Sequence, residues 1–211
     1  AGVHMIALDL TFTGLQKARA AVNGMQANAQ RVIGRAVKKE AVEVVGAMKR
    51  GIRNQFPGGG DEFEPLAEST IMMKKSSKAL IDNGDLLRSI HATDIGGSFS
   101  GQTTAWFVGV HRSARGKSGK PMANIAEIHE FGTKPYPIRV TNKMRRFMMA
   151  MFIAGRMRYP IAPSTTIINH PGVPARPFVR PTFEFWEKRG GPERLAKTIA
   201  RELGFGSVFG G

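Results

Sequence analysis

The chain contains no cysteine. That excludes a disulfide framework, a thiolate metal site and a cysteine nucleophile, and it suits assembly in a reducing cytoplasm. Aromatic residues with a polar handle are scarce, with two Trp and two Tyr. Trp106, Trp186, Tyr136 and Tyr159 do not alternate with bases, as a single-strand stacking platform requires. Long apolar runs are missing too. The richest, 147–154, has eight residues, against about 18 for a membrane-spanning helix, and it reads as a buried helix. The start of the chain has no basic flank, apolar run or small-residue cleavage site, so no secretory signal is expected. Residues 1–5 read as a cloning remnant, with Met5 the natural start. Finally, one long stretch lacks acid: 131–183 holds nine Lys or Arg and not one Asp or Glu.

The bases that remain are unevenly spread. The net charge is +15, and residues 1–60 carry nine bases against three acids. Residues 61–95 reverse this, with four bases and seven acids. Such segregation is the footprint of a polyanion or of an acidic protein face. At 211 residues the chain is long enough to bury a core.

Apolar residues recur at Leu15, Ala18, Val22, Met25, Ala29, Val32, Ala36, Ala41, Val44, Met48 and Ile52. Steps of three and four predict an amphipathic helix or helix pair over 15–52. Gly24, Gly34 and Gly46 each cost about 1 kcal/mol in a helix interior, so a kink is expected near one of them. Pro57-Gly58-Gly59-Gly60 ends the pattern. An acidic loop and a short helix over 66–75 follow, then a helix capped by Asp82 or Asn83 with Asp85 in its first turn. Strands are expected over 90–95 and 103–111, joined by the glycine-serine stretch 96–101. Residues 112–120 read as a mobile basic loop, 122–131 as a helix closed by Gly132, and 138–141 as a strand. A helix over 142–154 takes Asn142 as its N-cap. Prolines then punctuate the chain through Pro181 and argue for extended structure rather than helix. A last helix starts at Pro192 and runs to about Leu203. Leu86, Leu87, Trp106, Val108, Phe131 and Phe178 are the expected core around these elements.

No residue pattern points to catalysis. Arg115-Gly116-Lys117-Ser118 resembles the end of a phosphate-binding loop, but the glycine required at 111 is His111. Glu127, His129 and Glu130 cluster, yet a zinc-peptidase helix needs two histidines four apart, and positions 125 and 133 are Ile125 and Thr133. The expected role of His129 and Glu130 is to satisfy neighbouring backbone. No serine lies in a nucleophile elbow. No catalytic, metal or cofactor site is assigned, and no membrane partner.

The most informative signal is three blocks in order: 80–90 (Leu-Ile-Asp-Asn-Gly-Asp-Leu-Leu-Arg-Ser-Ile), 128–133 (Ile-His-Glu-Phe-Gly-Thr) and 173–181 (Val-Pro-Ala-Arg-Pro-Phe-Val-Arg-Pro). Phe63-Glu64-Pro65-Leu66, followed by Thr70 and Lys74, precedes them. Together they resemble the tail-completion, or virion-morphogenesis, proteins of tailed bacteriophages. The resemblance spans Phe63 to Trp186, roughly 60% of the chain. It implies a structural protein of the head–tail neck, not an enzyme, in the virion and in the host cytoplasm during assembly. It implies an α+β fold: an antiparallel sheet of about four strands packed by a long N-terminal helix and several shorter helices. The expected division is a helical segment 6–56, a core 57–190, and a helix with frayed tail over 191–211; the stretch between Thr133 and Val173 is longer than the resemblance leads one to expect, and 134–172 is read as an inserted lobe specific to this chain. The implied partners are further copies of the chain in a ring, other head or tail junction proteins, and DNA passing the channel without being read.

Prolines 174, 177 and 181 suggest a sheet edge or extended arm that anchors Phe178. Arg176 and Arg180 are then expected to bind the acids Asp61, Glu62, Glu64 and Glu68 of a neighbouring subunit. Arg112, Arg115, Lys117 and Lys120 are expected to face DNA. The alternative expectation is a nucleic-acid-binding protein that uses its basic surface without sequence specificity.

Overall fold

The structure is a computed structural model and describes residues 26–96 and 104–205. The expectations for residues 1–25, for Gly24, for most of the 96–101 stretch and for the tail beyond 205 fall outside the described residues.

Helix α1, Gln26–Asn54, is the spine. Seven members of the apolar stripe, Ala29, Val32, Ala36, Ala41, Val44, Met48 and Ile52, are all buried. The predicted kink is absent from this span, and α1 runs unbroken through Gly34 and Gly46. Two glycine penalties of about 1 kcal/mol are outweighed by burial of a continuous stripe, because helices in proteins are held mainly by tertiary packing. Gln55 then takes a left-handed conformation, and a 3-10 turn, Pro57–Gly59, redirects the chain.

Helices α2, Glu68–Lys74, and α3, Asp85–Ser89, lead into β1, Ile90–Asp94, which pairs antiparallel with β2, Trp106–Val110. Helix α4, Met122–Phe131, precedes β3, Tyr136–Arg139, helix α5, Asn142–Ile153, and β4, Ile167–His170. Helices α6, Arg180–Lys188, and α7, Gly191–Glu202, end the described fold. The β1–β2 hairpin, α6 and α7 all pack against α1.

The class is α+β, but the four strands do not join into one sheet. They form two separate antiparallel pairs, β1–β2 and β3–β4. Pro137 lies inside β3 and can donate nothing to a second neighbour, which confines that strand to an edge. The chain leaves the core at Thr133 and returns at Val173, two residues that pair as an isolated bridge. Between them, 134–172 form a lobe containing β3, α5 and β4.

Four further expectations change. Helix α5 buries no residue, although its run of Met and Phe predicts a core helix, and Thr141, not Asn142, caps it, its hydroxyl accepting from the Met144 N–H at 3.2 Å. Prolines 174–181 do not keep the chain extended to the end, because Pro181 sits in the first turn of α6, where a missing N–H costs nothing. Phe131 is 63% exposed rather than core. On α4, Met122, Ala126 and Glu130 are spaced four apart and form the inward face, and Phe131 falls one step beyond it.

The main cluster joins Met48, Ile52, Phe63, Ala79, Leu80, Leu86, Ile90 and Phe178. Leu87, Trp106 and Val108 are half-buried around it and around a second cluster of Ala36, Val37, Leu195 and Ile199. Phe178 has no exposed surface, so Phe178→Ala is expected to cost about 3–5 kcal/mol. Phe131→Ala should stay within about 0.5 kcal/mol, as exposed substitutions do. Urea unfolding of the two variants checks the ranking; a Phe131 variant weaker than the Phe178 variant would refute the placement.

Candidate functional site

Pro177 and Pro181 carry no N–H, and the three residues between them do. All three of those donors go to one side chain. The Glu130 carboxylate accepts from Phe178 N at 2.8 Å, Val179 N at 3.0 Å and Arg180 N at 2.9 Å. These are the orphan donors at the start of α6, where a helix dipole favours negative charge. Glu130 is itself buried. Thr182 completes the turn by donating its hydroxyl to Phe178 O at 2.7 Å.

The same two segments are laced together further along. His129 O accepts from Arg176 N at 2.6 Å, Thr133 N donates to Val173 O at 2.8 Å, and Val173 N donates to Thr133 Oγ1 at 2.9 Å. Gly132 makes this contact possible. Its φ is +71°, and a Cβ there would lie 2.7 Å from Val173 O. An L side chain is excluded twice, by conformation and by space.

Arg176 then reaches the third segment. Its Nε donates to Glu64 O at 2.5 Å and its NH2 to Pro65 O at 2.6 Å. The side chain is 4% exposed, which corrects its expected role as a subunit contact. A guanidinium presents five donors in a rigid fork, and this one directs two of them at its own main chain. Burial lowers its pKa, and the nearby Glu64 charge opposes that. Arg180 points outward, with Glu184 at 3.9 Å. Asp61, Glu62, Glu64 and Glu68 are exposed.

Beside Arg176 sits His129, whose Nδ1 is buried without a hydrogen-bond partner. Burial, together with the charges of Arg176 and Lys74, pushes its pKa down to about 4. Lys74 is also lowered by burial, with Asp82 acting against that shift. The imidazole is therefore neutral near pH 7, wedged between two cations.

The 80–90 block enters from α1. Gln55 Oε1 accepts from Ala79 N at 2.5 Å, and Gln55 Nε2 donates to Ile52 O at 2.6 Å and to Ala79 O at 3.2 Å. Asp85, at the head of α3, accepts from Lys117 N at 2.9 Å, a bond that leads the causes lowering its pKa. The 112–120 loop, expected to be mobile, is thus tied by backbone hydrogen bonds to itself and to α3. Arg115 pairs with Pro121, Met122 N donates to Ala114 O and Gly116 N to Lys120 O. Arg112, Arg115, Lys117 and Lys120 stand exposed on it.

Sequence reasoning missed Gln55 and Glu40. Glu40 Oε2 accepts from Trp186 Nε1 at 2.7 Å and from Arg194 at 3.2 Å, and so ties α6 and α7 to α1. A glutamate four residues from the stripe members Ala36 and Val44, on their side of the helix, was the available signal. Among the described residues no group of three or more His, Asp or Glu could hold a metal ion, and no helix is long and apolar enough to cross a membrane. No protein-family profile, curated protein or solved structure matches this chain.

Chemically, the centre is a joint. Glu130 has its oxygens directed at backbone donors, and Arg176 has its fork on backbone carbonyls, so both act by holding segments. Hydrogen bonds to a charged group contribute about 1.5–3 kcal/mol each, and orphaned buried donors cost about as much. Glu130→Ala should therefore lose at least about 3 kcal/mol in chemical denaturation; a change under about 1 kcal/mol would refute the capping role.

His129 yields a pH prediction. Its folded pKa, about 4, lies below the ordinary 6.5, so the unfolded chain binds the proton more tightly. Stability from this group is full above pH 6.5 and is lost as pH falls towards 4, by about 3 kcal/mol in all. His129→Gln should flatten that part of the stability–pH curve, measured against the parent; parallel curves would refute it.

Proposed function

We propose that this chain is a structural morphogenesis protein of a tailed phage, acting at the head–tail junction through repeated contacts between subunits and with neighbouring junction proteins. The observation that carries the reading is convergence. The four blocks on which the resemblance rests, 63–66, 80–90, 128–133 and 173–181, meet in one network of buried hydrogen bonds and core contacts. Segments that define one family's fold are expected to pack on one another, as these do. The charge distribution supports the same reading, since the acids of 61–68 and six bases of the acid-free stretch, Lys134, Arg139, Lys143, Arg146, Arg158 and Arg180, lie exposed on one molecule.

A second reading has its own support. The 112–120 loop holds four exposed bases on a braced backbone, a geometry suited to phosphates. In the neck this loop would face passing DNA; in the alternative, binding nucleic acid without reading sequence would be the protein's whole task.

Two measurements separate these. In a phage that encodes the chain, disrupting its gene should yield full heads and separate tails by electron microscopy. Normal joined particles would refute the neck reading. Duplex binding by the purified protein, followed against salt, should weaken by about 0.9 log unit per log unit of salt for each phosphate contact. Replacing Arg112, Arg115, Lys117 and Lys120 by Gln should reduce that slope. A slope that does not change would remove the loop from the contact.

A further inference from the structure

The 134–172 lobe has an unusual surface. Its charged residues are Lys134, Arg139, Lys143, Arg145, Arg146, Arg156 and Arg158, with no acid among them. Arg145 is spent internally, donating to Ala162 O and Thr165 O at 2.8 Å each. Helix α5 divides in two along its length. Met144, Met148 and Met151 are half-buried on one side, while Arg146, Phe147, Met149 and Ile153 stand exposed on the other. Ile153 is 78% exposed and Phe147 51%. Scattered exposed apolar residues need no explanation, but an apolar face on a helix that buries nothing does.

The complement lies elsewhere on the same chain. Asp61, Glu62, Glu64 and Glu68 are exposed, and so are Met72 and Met73 on α2. The acids lie at the 61–68 end of that surface, with Lys75 and Lys78 exposed beyond Met73 at the other, where the lobe is apolar with base throughout. Among the described residues no ion pair joins either set to anything: the pairs present are Arg35–Glu202, Arg50–Glu43, Arg88–Asp85, Arg180–Glu184 and Arg194–Glu40. The two surfaces match in chemistry and do not meet within one molecule.

We infer that the exposed face of α5 docks on the 61–73 surface of a second copy of this chain. Lys143 and Arg146 meet the acids, and Phe147 and Ile153 meet Met72 and Met73. The contact replaces the one expected of Arg176, whose guanidinium is buried in its own subunit. DNA is a poorer occupant, because phosphates offer nothing to Phe147 and Ile153. A lipid surface would leave the acid–methionine surface without a counterpart. Two different patches in contact make the interface heterologous, so copies add head to tail and close into a ring when the rotation permits. This deepens, and for its biological setting rests on, the assembly reading above; its test uses purified protein alone.

The absence of cysteine makes the test direct, because any introduced thiol is unique. One copy carries Phe147→Cys and a second, distinguishable by a tag, carries Met73→Cys; both positions are exposed, so folding is not at stake. A short bismaleimide should link the two copies into a mixed 147–73 product and give no 147–147 product. Adding Lys143→Glu and Arg146→Glu to the first copy should lower the yield roughly tenfold, as like charges oppose docking. Glu62→Lys with Glu68→Lys on the second copy should restore it. Absence of the mixed product with both variants folded by circular dichroism would overturn the inference. So would a dominant 147–147 product, or sedimentation with phosphatidylglycerol vesicles that the lobe reversal abolishes while no mixed product forms. If the mixed product forms but gene disruption leaves phage particles joined, the contact stands and the neck reading falls.

Discussion

Three backbone donors fenced by two prolines must be satisfied, and the rest of the central architecture follows from how this is done. A helix that starts against the core brings its unpaired N–H groups with it, and they must find partners there. Glu130 meets that demand from a different element, nearly fifty positions earlier in the chain. The solution dictates much else. Helix α4 must turn a charged residue inward, so Phe131 turns outward. Gly132 must let the two strands of chain pass almost in contact. Phe178 is then carried to the centre of the main cluster, between α1 and α3.

A buried carboxylate without partners would be untenable, and so would a buried guanidinium. Here each is compensated by peptide groups and not by the other. Glu130 takes N–H groups and Arg176 gives to C=O groups, so two opposite charges tie three chain segments without forming an ion pair. Peptide partners fix direction as well as distance, which suits a joint that must hold geometry. Charges used this way are withdrawn from recognition. The free bases of the acid-free stretch are then mostly those of the 134–172 lobe, and any electrostatic contact made by that stretch falls chiefly to it.

What was legible in the sequence was local. The period of three and four along α1 marked its buried stripe residue by residue, because that helix packs on one side only. The β1–β2 hairpin, the end of α1 and the Gly132 turn were legible for the same reason, each being written in short-range pattern. The fate of polar groups was not. Arg176 and Arg180 look alike in sequence, four apart in one proline-rich segment, yet one is buried and the other exposed. Only the arrival of Glu64 and Pro65 decides between them, and those residues are more than a hundred positions away. The methionine-rich helix failed in the opposite direction. Apolar period implies a covered face, and among the described residues nothing supplies the cover for α5.

The core and the lobe therefore differ in how they are held. The core has two apolar clusters and a lattice of buried hydrogen bonds. The lobe has a four-residue strand pair, the Arg145 contacts, a Tyr136–His170 stack at 4.9 Å and the Thr133–Val173 bridge at its root. With few buried apolar contacts, its local opening requires less free energy than global unfolding. Anything that covers α5 adds burial where the subunit itself has little. A partner bound there would raise the stability of the lobe more than that of the core, so association and ordering of this segment are thermodynamically linked.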